Sequence, residues 1–228
     1  MKTLFVLLLS LFSMNFALAQ TECSKFYPFS EGVTSQITTY DKKGKTAAVV
    51  NYTVINVNNN GNAEVASVNS TIKDDKGALI AETTYDIICR DNMVSIDFKS
   101  MMNPQIFEQF GEMKYDISGT NIDLPNDLSV GQSLPDADMQ MKIDMGGINM
   151  NMNVAMKDRK VIGKENVTTP AGTFDCFVIS YTSEMKMGMN RRGTATQWIA
   201  EGVGMVKQED YNNSGKVLSS SLLTAFSR

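Results

Sequence analysis

The sequence predicts an all-β protein, a single domain built on a strongly curved antiparallel sheet or an open, incomplete barrel with one short helix. Two observations carry that expectation. Runs rich in Val, Thr, Ile and Tyr recur along the chain at strand length. Between them stand turns that open on an Asx residue, most of them closed by a glycine able to take the positive φ of a hairpin.

Taken in order, 37–40 leads into Asp41-Lys42-Lys43-Gly44, and 46–57 into Asn58-Asn59-Asn60-Gly61. The run 63–73 leads into Asp74-Asp75-Lys76-Gly77, and 78–89 into Arg90-Asp91-Asn92. Near the end, Asn212-Asn213-Ser214-Gly215 joins 204–210 to 217–226. Gly202 and Gly204, flanking Val203, read as a tight β-turn because strand-like Met205-Val206-Lys207 follows them. In 174–181, Phe174, Cys176 and Val178 alternate with Phe177, Ile179 and Tyr181, so both faces of that strand are covered.

The one helix is placed at 103–110. Asn103 suits the N-cap, Pro104 the first helical position and Gly111 the position past the end, while Ile106, Phe107 and Phe110 share a face. Two turns of helix suit a plug or lid on a sheet. The stretch 124–138 has no periodicity and reads as a crossing loop, packed down through Leu124, Leu128, Val130 and Leu134, so no domain boundary is placed there.

Compartment follows from the start of the chain. Lys2, an apolar run over 4–18 and the Ala17-Leu18-Ala19 motif form a secretory signal cleaved after Ala19. That leaves 20–228 as the β domain, secreted or periplasmic. Cys23 does not directly follow the small residues, which argues against lipid attachment there. No later stretch approaches the ~20 apolar residues of a membrane-spanning helix. A net charge of −4 without a basic block argues against nucleic acid and anionic membrane as partners.

Three cysteines allow one disulfide in an oxidising compartment. Cys23 and Cys89 both sit at the ends of strand-like runs and suit a bridge, although spacing alone does not decide the pairing. Cys176 lies in an apolar run and reads as a buried thiol.

Methionine is the anomaly: 16 in the chain, nine of them between Met139 and Met189. Met139, Met141 and Met145 fall on one strand face with Ile143, and after Gly146-Gly147 the pattern resumes at Met150, Met152 and Met156. Met185, Met187 and Met189 repeat it. Three readings compete. The stripe is sheet core that uses methionine, or an adaptable groove for an apolar small molecule, lipid or partner protein, or a Cu(I) site of soft thioethers. Residues i and i+2 of a strand lie ~7 Å apart, so one strand seldom supplies two ligands to a metal.

The chain contains no histidine, which removes the commonest general base and most zinc sites. Carboxylates sit in turns or alternate with apolar residues, and no glycine-rich phosphate loop opens a helix. No catalytic residue, metal ligand set or cofactor is therefore assigned, and the protein is read as a non-enzyme.

Thr169-Pro170-Ala171-Gly172-Thr173-Phe174-Asp175-Cys176, followed by the 197–206 segment Gln-Trp-Ile-Ala-Glu-Gly-Val-Gly-Met-Val, resembles a secreted family of unknown function abundant in Bacteroidetes and sometimes labelled TapB-like. The segment from Val130 to Ala137 and the methionine hairpin fit the same likeness. The resemblance implies a curved antiparallel sheet in an envelope protein, with no catalytic residues. The expectation is a non-enzymatic envelope protein that binds an apolar or lipid-like ligand on the methionine face, with Ile106 and Phe107 as a lid. A module docking an envelope protein partner, or a Cu(I)-handling protein, are the alternatives.

Overall fold

The computed structural model describes residues 23–97, 114–144, 149–187 and 189–228. These form β1 (Thr34–Asp41), β2 (Thr46–Asn60), β3 (Ala63–Lys73), β4 (Leu79–Arg90), β5 (Met93–Asp97), β6 (Lys114–Gly119) and β7 (Asn121–Pro125). They continue as β8 (Ala137–Asp144), β9 (Asn149–Thr169), β10 (Gly172–Met187), β11 (Met189–Ala200), β12 (Gly204–Asn212) and β13 (Val217–Ser227). No helix occurs among the described residues. The signal expected at 1–19 and the helix expected at 103–110 both lie outside them.

All thirteen strands belong to one antiparallel, nearly closed sheet, in the order β6-β8-β9-β10-β11-β12-β13-β1-β2-β3-β4-β5-β7. The Asx turns set its hairpins. In three of them one side-chain oxygen accepts two backbone N–H bonds: Asp41 from Lys43 and Lys45, Asp74 from Lys76 and Ala78, and Asn212 from Ser214 and Lys216, all at 2.8–3.0 Å. At Asp91-Asn92 both φ values are positive, 52° and 62°, which is the two-residue turn that matches strand twist.

The two outermost strands, β6 and β7, are consecutive in the chain and separated only by Thr120. One extended stretch thus pairs with β8 through its first half and with β5 through its second. Thr120 anchors the crossover: its N–H donates to the Asp138 carbonyl, and Asp138 N–H donates to Thr120 Oγ1, both at 2.9 Å. Gly119 passes so close that a Cβ would stand 2.2 Å from the Asp138 carbonyl oxygen, which excludes any side chain.

Arg159 in β9 stitches the same seam. It is 2% exposed, and its Nη1 donates to the carbonyls of Asp123 at 3.0 Å and Pro135 at 2.7 Å. Its Nε is buried with no hydrogen-bond partner among the described residues. Burial holds the guanidinium below its ordinary pKa, while Tyr27, Tyr181, Asp123 and Asp136 act the other way. Arg159→Met should lower stability by about 2 kcal/mol, because the part-buried carbonyls of Asp123 and Pro135 lose a charged donor, a loss offset only in part by removal of a buried charge. Urea unfolding would measure this, and an unchanged midpoint would show that the seam holds without the arginine.

The core divides over two faces. β10 and β11 pair from Cys176↔Ala200 to Met187↔Met189 without a register shift. Phe177, Ile179 and Ile199 enter one cluster, while Cys176, Val178, Trp198 and Ala200 enter another on the opposite face. The first cluster is completed by the segment before β1, through Phe26, Phe29 and Val33, and by Leu124, Leu128 and Leu134. Cys23 is disulfide-bonded to Cys89, and the Asn126 side chain ties the Cys23 carbonyl and the Lys25 N–H to the 126–136 loop. This end of the barrel is therefore plugged by its own chain. Val130, expected to pack with the leucines, is instead 60% exposed, since it sits on the outward turn leading into Gly131.

Candidate functional site

Along β10 the core face runs from Phe177 and Ile179 at the plugged end through Tyr181 and Ser183 to Met185 and position 187. The methionines assemble on this same face. In antiparallel pairs, directly opposed residues share a face. Ile117 lies opposite Met141, Met141 opposite Met152, Met152 opposite position 187, and position 187 opposite Met189. The next row is Gly119, Met139, Val154, Met185 and Arg191, and Met156 stands one row nearer the plug, opposite Ala137 and Ser183. Position 150 faces position 143 one row farther out.

Three separated sequence segments thus form one block across β8–β11. Its burial is graded. Met139 and Met141 are 1% and 2% exposed, Met152 and Met156 are half-buried, and Met185 and Met189 are exposed. Met145, Ile106 and Phe107 lie outside the described residues.

Nearer the plugged end lies an apolar cavity of about 130 Å³. Val33, Val54, Val68, Ile87 and Ile96 line it, with Gln197 and Met205 on the opposite wall. A dry cavity of about 150 Å³ admits a molecule the size of benzene. Tyr27, Tyr52 and Tyr85 point at it from the N-terminal segment, β2 and β4, with Ser35 beside them. Tyr27 fits because residue 204 is glycine: at φ +86° it makes the turn into β12, and a Cβ there would press to 3.1 Å of the ring.

Burial keeps these phenols protonated. It raises the pKa of Tyr27, pushes Tyr52 up to about 12, and raises Tyr85 as well, with the neighbouring tyrosines adding to the last two. Tyr181 is raised by burial and then by Asp210. At neutral pH the cavity presents neutral hydroxyls on an apolar wall, a lining suited to apolar molecules carrying an occasional polar group.

The remaining chemistry is structural. Cys176 is buried, and its thiol pKa rises to about 11 through burial and then through Asp175 and Glu165. Trp198 Nε1 donates to Glu165, and Lys207 Nζ sits 4.4 Å above the Trp198 ring. Among the described residues no group of His, Cys, Asp or Glu could hold a metal ion.

The tyrosine cluster and Arg159 have no local sequence signature. Tyr52 and Tyr85 read as ordinary strand tyrosines until β2–β4 bring them together with Tyr27. Arg159 stands in Lys157-Asp158-Arg159-Lys160, where only the bulge at Asp158, with φ +55°, turns it toward the seam.

Fold and family can now be joined. The chain belongs to the DUF3108-like family, whose model matches residues 30–223. Among solved structures it is similar to a presumptive exported protein of Bacteroides fragilis with a YmcC-like fold, at 22% identity and a TM-score of 0.74. It is also similar to a presumptive lipoprotein of Parabacteroides distasonis, at 24% identity and a TM-score of 0.72. Each likeness covers 90% of this chain and 100% of the other. No curated protein matches the chain.

Proposed function

We propose that this is a non-enzymatic, exported envelope protein that holds an apolar or lipid-like ligand inside its sheet. The carrying observation is that the core face of β10 does not end with the packed core but continues as a half-exposed methionine wall. From Phe177 to position 187 that face is about 33 Å long at ~3.3 Å per residue, ample for an acyl chain. Thioether side chains adapt to such a chain without specifying one shape. The proposed contacts are Met139, Met141, Met152, Met156, Met185 and Met189, with the tyrosine cavity taking the inner end.

Export rests on the secretory signal at 1–19, with cleavage after Ala19 leaving 20–228 as one domain, and on the exported and lipoprotein descriptions of the structural relatives. The non-enzymatic reading is supported by the neutral, apolar character of the cavity.

Native mass spectrometry of the protein purified from its own host's envelope is the test. An adduct of lipid-like mass is expected, at less than a third of its wild-type occupancy in Met185→Glu/Met189→Glu, a variant confined to exposed positions. A bare mass after incubation with host lipid extract would overturn ligand binding and leave a module that docks a protein partner.

A further inference from the structure

The end of the barrel opposite the plug carries a chemistry that the chain's total charge conceals. Because β12-β13-β1-β2-β3-β4 are consecutive neighbours in the sheet, the turns β12/β13, β1/β2 and β3/β4 stand side by side on one rim. Adjacent turns lie two strand spacings apart, about 10 Å. These are the three hairpins whose Asx oxygens close on their own backbone, so their tips are built alike and held in shape.

The rim is apolar where a soluble surface usually is not. Leu79 and Ile80 follow one turn and are 57% and 50% exposed; Val217 and Leu218 follow another at 43% and 48%. Met185 and Met189, at the same end on β10 and β11, extend the apolar edge, so six of the nine large exposed hydrophobics among the described residues gather here. The same tips are basic. Lys42, Lys43 and Lys45 crowd the central turn, with Lys76 and Lys216 exposed on its neighbours. The same turns carry three carboxylates, Asp41, Asp74 and Asp75, against these five lysines, so the tips keep a positive balance.

We infer that this rim docks onto an anionic phospholipid surface, the apolar residues entering the headgroup boundary while the lysines meet the lipid charge. Apolar side chains ringed by lysine at loop tips match the two terms that hold a peripheral protein on a bilayer. A protein partner would be met instead by a flat, charge-depleted apolar patch, and these tips are neither. A net charge of −4 does not oppose the contact, because only charge within about a Debye length of the surface is felt. The inference goes beyond the proposed ligand and does not depend on it.

Cosedimentation with vesicles of phosphatidylcholine containing phosphatidylglycerol provides the test. Binding is expected to the mixed vesicles and to be at least tenfold weaker to pure phosphatidylcholine or at high salt, since each lysine at an anionic surface contributes about fivefold. Lys42→Glu/Lys43→Glu/Lys76→Glu should weaken it at least tenfold. Leu79→Ser/Leu218→Ser should weaken it separately while leaving the salt dependence in place. Both variants alter only exposed tip residues, so a native circular dichroism spectrum accompanies the comparison. Absence of binding to mixed vesicles, or equal binding by the charge-reversed protein, would overturn the inference whatever mass spectrometry shows of an interior ligand.

Discussion

Removing the Cys23–Cys89 bridge is expected to lower the unfolding free energy by about 4 kcal/mol. The bridge closes a loop across a sequence separation of 66, and the loop-closure relation gives that magnitude for a chain so constrained. The effect has a native-state component as well. Cys89 is fully buried in the first cluster, and Cys23 begins the segment that plugs the barrel. Urea unfolding of Cys23→Ala/Cys89→Ala, compared with wild type with and without reductant, would measure it. A wild-type midpoint indifferent to reductant would show that the plug holds by packing alone. Cys176 does not confuse the experiment, since its thiol is buried and its pKa raised to about 11, leaving little thiolate for exchange at neutral pH.

Phe26→Ala should be comparably damaging, at about 4 kcal/mol. Phe26 is fully buried between the plug and the sheet, and its ring meets Phe177 edge-on with centroids 5.8 Å apart. The loss combines transfer of a whole phenyl ring, the cavity left behind and an aromatic contact of about 1 kcal/mol. Phe26→Leu should recover more than half of the loss, because it restores most of the volume but not the ring pair. A Phe26→Ala midpoint within experimental error of wild type would mean that the segment is not integral to the core. Because Phe26 lies three residues from Cys23, the two perturbations should not add.

The hairpins were the most legible part of the fold, for a physical reason. An Asx oxygen that accepts two backbone N–H bonds and a glycine at positive φ are local requirements, so Asp41–Gly44, Asp74–Gly77 and Asn212–Gly215 announce themselves. The alternation over 174–181 likewise predicted the two faces of β10, because Phe177 and Cys176 meet different clusters. What could not be read was closure. Nothing in Lys114–Pro125 shows that one stretch serves two partners, because pairing with β8 and β5 is a property of the assembled sheet. The methionine rows were legible as stripes but not as a block. Period two assigns a face within a strand, whereas the neighbourhood of Met141, Met152 and Met189 depends on register between strands. Burial was not readable either: Met141 and Met189 follow the same alternation, yet one is 2% and the other 71% exposed.

The crossover at Thr120 also limits how this molecule can associate. Many extracytoplasmic proteins recruit one another by lending a strand to a neighbour's unpaired border, a route that asks only for free backbone donors and acceptors. Here a single stretch of chain occupies both borders of the sheet, and Arg159 takes up a carbonyl that β7 would otherwise offer. Strand-by-strand growth from that seam is thereby hindered. Association at this seam is left to side chains, which can be altered residue by residue without disturbing the ladder.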